Sequence, residues 1–160
     1  MAKAQNDNPA GVATASGICA QHGNDPAALL EILHDLQDET GHVADELLPT
    51  IADALNLSRA EVHGVVSFYH DFHAAPQGRV TVKVCRAEAC QSMGALALIE
   101  RLCQRLGVTL GGTSSDGQVT VEPVYCLGNC ALAPAAMVDG RPVGRVDLDR
   151  LETAIREARA

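Results

Sequence analysis

Apolar residues recur at helical spacing from Asp25 onward. Leu29, Ile32, Leu33 and Leu36 fall on one face, Pro26 suits the first helical position, and Gly41 supplies the stop. A second run groups Leu48, Ile51, Ala52 and Leu55, with Pro49 in the first turn, where its missing N–H costs no helical bond. Ser58-Arg59-Ala60-Glu61 then reads as a capping box, in which hydroxyl and carboxylate each answer the other residue's orphan backbone donor. The helix it opens is expected to bury Val62, Val65, Val66 and Tyr69. Residues 24–74 therefore predict a small N-terminal helical bundle with a thin core of its own. Residues 1–23, rich in Ala, Gly, Asn and Ser, show no apolar period and predict a flexible lead-in.

The stretch from Ala74 to Gly78 punctuates the chain, and the period then changes from helical to alternating over Arg79–Cys85, which predicts a strand. Leu96, Ile99, Cys103 and Leu106 are expected on the inner face of the next helix, which Gly107 ends. Val108–Leu110 and Gln118–Val121 read as further strands around a loop from Gly111 to Gly117. Ala135–Val138 and Pro142–Val143 flank an Asp139-Gly140 hairpin turn, and Asp147 caps a last helix with Leu148, Leu151, Ile155 and Ala158 inward. Residues 79–160 thus predict a small domain of the α/β class.

Composition narrows the functions. Hydrophobic residues make up 47% of the chain, enough for a packed core, whereas aromatics are 2%, so stacking platforms for single-stranded nucleic acid are scarce. A net charge of −8, with Lys3 and Lys83 as the only lysines, repels phosphate backbones and anionic lipid. No window approaches the roughly 18 consecutive apolar residues of a membrane span, and the first residues lack the basic and apolar regions of a secretory leader. The expectation is a cytoplasmic protein that binds neither nucleic acid nor membrane and whose partners are proteins. There is no G-x-G-x-x-G run, no P-loop and no evident nucleophile–base pair, so no catalytic residue is assigned.

Six cysteines in a reducing compartment point to metal or redox chemistry more than to disulfides. Cys85 is expected to end a strand and Cys90 to open the following helix, while Cys126 ends another strand and a short Leu127-Gly128-Asn129 loop leads to Cys130. Two irons bridged by two sulfides need four further thiolates, two per iron, and two strand-exit pairs supply them. Structural zinc also takes four cysteines at such spacings, so C-x4-C…C-x3-C leaves both metals open. A thioredoxin-type C-x-x-C is absent, which weakens dithiol exchange.

The segments VCRAEACQSMGA and VYCLGNCALAPA, preceded by a helix ending VVSFYHDF, resemble the thioredoxin-fold [2Fe–2S] subunit shared by respiratory complex I, NAD-linked hydrogenases and NAD-dependent formate dehydrogenases. The resemblance covers roughly residues 25 to 159. It implies a thioredoxin-like [2Fe–2S] ferredoxin domain behind the helical bundle, with Cys85, Cys90, Cys126 and Cys130 as the cluster ligands. The loop Arg86-Ala87-Glu88-Ala89, followed by Gln91-Ser92-Met93-Gly94, looks most like the gamma subunit of the soluble molybdenum-containing NAD-dependent formate dehydrogenase. That likeness implies a partner subunit carrying flavin mononucleotide and binding NAD, and a catalytic subunit with a molybdenum cofactor. This chain would then pass electrons without an active site of its own. A complex I or hydrogenase host, a stand-alone ferredoxin, and a zinc-stapled interaction module are the alternatives.

The remaining candidates are weaker. Cys103 lies on an apolar helical face and reads as a small buried hydrophobe, and Cys19 as an incidental exposed thiol in the lead-in. His63, His70 and His73 cluster around the third helix, but four cysteines already complete a ligand shell. Phe68, Tyr69 and Phe72 serve either internal packing or anchoring on a partner subunit. Backbone N–H groups around Gly94 and Gly128 are expected to donate to sulfur and so tune a cluster, as are the opposed charges of Arg86 and Glu88.

Overall fold

A computed structural model describes residues 8–160. The chain divides into two compact units, one ending at Pro76 and the other running from Gln77 to Ala160. In the first unit, α1 (Pro9–Gln21), α2 (Leu29–Thr40), α3 (Leu48–Leu55) and α4 (Arg59–Phe68) surround one apolar core. The apolar faces read from the periodicity are the ones buried: Leu29, Ile32, Leu33 and Leu36 on α2, and Leu48, Ile51, Ala52 and Leu55 on α3. Gly41 ends α2 at φ 79°, a left-handed turn that suits a residue without Cβ.

The expected lead-in differs. Residues 1–7 lie outside the described residues, but residues 9–21 form a regular helix. Pro9 stands in its first turn and the Asn8 side chain accepts from the Gly11 N–H at 2.9 Å, so caps open it although no apolar stripe announces it. Ala15, Ile18 and Cys19 enter the bundle core, and Cys19 is fully buried instead of exposed. Small residues hid this face, because Ala and Cys carry too little hydrophobic contrast against Gly, Ser and Thr.

The capping box at Ser58 is present, with the Glu61 carboxylate accepting from the Ser58 N–H at 2.8 Å and the Ser58 hydroxyl accepting from the Glu61 N–H at 3.2 Å. Val62 and Val66 are buried on α4, whereas Tyr69 falls beyond the helix end and is 43% exposed. The segment after α4 is held by Gln37, whose amide donates to the Asp71 carbonyl and accepts from the His73 N–H. This clamp seats Phe72 in the core, 4.9 Å from the His34 ring, while Phe68 stands 72% exposed.

The second unit is a five-stranded sheet in the order β2-β3-β1-β4-β5, built from β1 (Val80–Cys85), β2 (Gly112–Thr113), β3 (Val119–Val124), β4 (Ala135–Val138) and β5 (Arg141–Gly144). β1 and β3 run parallel and the other neighbours antiparallel. The helices α5 (Glu88–Ser92), α6 (Ala95–Leu106) and α7 (Leu148–Arg159) complete it. Val80, Val82, Val84, Val119 and Val121 pack with Leu98, Ile99 and Leu102 of α6 and Leu151 and Ile155 of α7. Asp147 caps α7, accepting from the Arg150 N–H at 2.8 Å.

Two local expectations shift. Residues 108–110 are not a strand; the short β2 lies inside the segment read as a loop, because Gly111 at φ 86° turns the chain before it can pair with β3. The inner face of α6 is Ala95, Leu98, Ile99 and Leu102, with Leu96 exposed and Cys103 half-buried.

Replacing Ser58 with Ala should cost about 1 kcal/mol of stability at neutral pH, the usual loss for an N-cap hydroxyl. The Ser58 N–H first and its hydroxyl second hold the Glu61 carboxyl below its ordinary range; the substitution removes the hydroxyl's share, which exists while Glu61 is ionised and fades as pH falls through its folded-state pKa. Urea unfolding of both proteins should therefore show a gap at neutral pH that narrows on acidification.

Candidate metal centre

The parallel register of β1 and β3 sets Cys85 opposite Val124, so both strands deliver their exits to the same end of the sheet. The Arg86 N–H continues the ladder by donating to the Val124 carbonyl at 2.8 Å. From these exits, Cys85 closes β1, Cys90 lies within the one-turn helix α5 instead of opening a longer one, and Cys126 follows β3 by two residues. Cys130 begins a short 3-10 turn that continues through Leu132.

The four thiols come together as two pairs. Cys126 and Cys130 have their Sγ atoms 3.8 Å apart, within sulfur hydrogen-bond range. Cys85 is near enough to both Cys90 and Cys130 for their charges to interact. Two thiolates on one tetrahedral metal with bonds of about 2.3 Å stand about 3.8 Å apart, so the Cys126–Cys130 pair already has the spacing of a shared metal. Among the described residues, no three His, Cys, Asp or Glu side chains converge on a single ion position. Four thiols in two pairs supply the two sulfurs per metal that a binuclear thiolate-ligated group takes.

The pairs differ in environment. Cys85 and Cys90 are each 2% exposed and pack with Ala95 and Ala135, whereas Cys126 and Cys130 are exposed. Burial pushes the Cys90 thiol up, the Ala135 N–H partly opposes that by donating to its sulfur, and Cys85 raises it further. The Cys130 thiol is raised first by its hydrogen bond to Cys126 and then by the charge of Cys126. A metal removes these penalties by replacing the protons.

The backbone supports the exposed pair. Cys126 sits at φ 114°, a region costing of order 1–3 kcal/mol for a residue with a Cβ, and holding it requires the surroundings to prescribe the turn. The Gly128 N–H donates to the Cys126 sulfur at 3.3 Å, as expected. Gly94 does not play the matching part, because its N–H is spent on the Gln91 carbonyl in the turn before α6. Reasoning from sequence missed Ala135, which reaches Cys90 only because β4 lies beside β1 in the sheet. Arg86 is half-buried and Glu88 exposed. Cys19 lies in the first unit's core and Cys103 on α6, and burial raises both thiols.

A parallel strand pair with helices, edged by an antiparallel hairpin and bearing two cysteine pairs at one sheet end, defines a thioredoxin-like domain. The chain belongs to the thioredoxin-like [2Fe-2S] ferredoxin family, whose description matches residues 15–159. Members of this family carry a [2Fe–2S] cluster. The chain is 38% identical over 129 residues to an NADH-quinone oxidoreductase component of Pseudomonas aeruginosa, covering 80% of this chain and 78% of that protein. It is 32% identical over 129 residues to the HndA component of the NADP-reducing hydrogenase of Solidesulfovibrio fructosivorans, covering 81% and 75%. Among solved structures, an NAD+-reducing [NiFe]-hydrogenase in the air-oxidized state matches at TM-score 0.67 and 27% identity, covering 82% of this chain but only 23% of that one.

In the metal-free chain, iodoacetamide should label Cys126 and Cys130 well before Cys85, Cys90 and Cys19. Peptide mass spectrometry of timed samples reads the order, and simultaneous labelling of Cys90 with Cys130 would contradict the burial difference.

Proposed function

We propose that the chain is a non-catalytic electron-transfer subunit of an NAD-linked oxidoreductase, and that Cys85, Cys90, Cys126 and Cys130 ligate its single [2Fe–2S] cluster. The observation that carries this reading is the pairing of the four thiols at one end of the β1–β3 sheet. Bound there, the cluster supplies a one-electron acceptor and donor. The chain's own part is to hold four thiolates, to shield one pair with Ala95 and Ala135, and to aim the Ala135 and Gly128 N–H groups at sulfur. Donors to sulfur and local burial are among the levers that set a cluster's potential. A flavin mononucleotide and NAD site belongs, on this reading, to a neighbouring subunit that splits hydride pairs into single electrons. No helix among the described residues is long and apolar enough to cross a membrane. A cytoplasmic location is part of the same proposal, since it supplies the reducing conditions that keep four thiols available to iron.

For the host complex we favour a soluble NAD-dependent formate dehydrogenase with a molybdenum-containing catalytic subunit. The support is the Arg86-Ala87-Glu88-Ala89 loop between the first two cysteines. The relatives favour a second reading, the corresponding subunit of an NADH-quinone oxidoreductase or a hydrogenase. The other metal the same four thiolates could take is a single structural zinc, which would make the chain a zinc-stapled interaction module.

Anaerobically purified chain should be brown, carry iron and acid-labile sulfide in equal amounts, and give a [2Fe–2S] paramagnetic resonance signal when reduced. Cys126→Ser should abolish or greatly weaken that signal and Cys103→Ala should leave it intact; colourless protein with stoichiometric zinc, or signal loss in the Cys103 variant, overturns the assignment.

Affinity capture from the native cell extract separates the hosts. Co-purification of flavin, molybdenum and NAD-dependent formate oxidation is expected, whereas quinone reductase or hydrogenase activity without molybdenum would move the chain to the second reading.

A further inference from the structure

Gly144 is the last residue of β5, at the sheet edge, and carries no ligand or charge. Its importance lies in what surrounds its Cα. A Cβ built there would stand 2.6 Å from the Leu132 Cβ, 3.1 Å from the Leu132 Cδ1 and 3.1 Å from the Asn129 Nδ2. Leu132 and Asn129 flank Cys130 on either side, in the turn that presents it. The next two residues tie down the turn and the segment after it, since the Arg145 N–H donates to the Leu132 carbonyl at 2.6 Å and the Val146 N–H to the Pro134 carbonyl at 2.9 Å. In the sheet register Gly144 also faces Ala135, the residue whose N–H reaches the Cys90 sulfur. One position therefore abuts the backbone supporting a cysteine of each pair.

We infer that Gly144 is a positioning residue for the metal centre: the bare backbone of β5 forms a seat on which the Asn129–Leu132 turn rests, and that seat sets where Cys130 stands. A contact of 2.6 Å between two Cβ atoms forces one of them to move, and neither end of this contact is the tip of a flexible side chain. β5 is held to β4 by its ladder, so the turn bearing Cys130 yields. The inference rests on Cys130 being a cluster ligand.

The test is a set of full-length chains purified anaerobically: wild type, Gly144→Ala, Gly144→Ala with Leu132→Gly, and Gly64→Ala, whose added Cβ meets nothing within 4 Å. Iron and sulfide content, resonance g-values, redox midpoint and far-ultraviolet melting are read for each. Gly144→Ala should lower cluster retention by about tenfold, within the range seen when groups supporting metal ligands are lost, or shift the g-values and midpoint of the cluster it keeps. Gly64→Ala should match wild type, and the double variant should recover the wild-type spectrum because it removes the Cβ that is struck. Wild-type spectrum, midpoint and retention in Gly144→Ala overturn the seat alone. Should Gly144→Ala fail to fold, recovery of fold and spectrum in the double variant supports the seat, and failure to recover overturns it. A wild-type chain lacking a [2Fe–2S] signal overturns the cluster reading and the inference that rests on it.

Discussion

The parallel pairing of β1 and β3 is the constraint from which the site follows. Cys85 and Cys126 are far apart along the chain, and no local structure could bring them together. A parallel pair needs a crossover, and α5 and α6 with the short β2 supply it, so that β3 re-enters alongside β1 with Cys85 level with Val124. Parallel strands emerge at the same end of a sheet, which brings the segment bearing Cys126 and Cys130 to the end where Cys85 stands. An antiparallel pairing of the same strands would place their exits at opposite ends, about 17–20 Å apart for strands of ordinary length.

With the exits fixed, the remaining geometry is a matter of how closely backbone can approach sulfur. The walls around the inner pair are Val124, Leu127 and four alanines, Ala87, Ala95, Ala133 and Ala135, whose short side chains let main-chain groups come near the thiols. Polar backbone surrounds the sulfurs: the Ala135 and Gly128 N–H groups donate to them. Such donors are part of the sheet and turn and cost no side-chain entropy to hold. The unusual φ of Cys126 belongs to the same arrangement, because a turn tight enough to aim the Gly128 N–H back at the Cys126 sulfur leaves the cysteine itself few conformations.

Much of this is legible in the order of residues. The faces of α2 and α3 can be read because Leu and Ile stand out sharply from polar neighbours, and the capping box because two side chains at fixed spacing answer specific backbone donors. The strand-exit placement of Cys85 and the loop to Cys130 follow from a change of period and from Gly128. What escapes is set by small residues and by sheet order. The buried face of α1 consists of Ala15, Ile18 and Cys19, too slight a contrast to register as a stripe. β2 is two residues long and exists only because β3 offers it an edge. The contribution of Ala135 depends on β4 lying next to β1, a non-local fact that alternation along the strand cannot carry.

The difference in burial between the two cysteine pairs gives the site a direction. The inner pair is enclosed by the unit's own apolar residues, and the outer pair is exposed beside Tyr125 and Leu132, which are 73% and 38% exposed. The exposed side of the site is therefore the side of Cys126 and Cys130. An iron held by the outer sulfurs would stand nearest to that side and to water, while one held by the inner sulfurs would sit in the less polar surroundings. Charge added to the site is better accommodated where the dielectric is higher. On the proposed ligand set, an added electron would therefore be better stabilised on the side of Cys126 and Cys130 than on the side of Cys85 and Cys90.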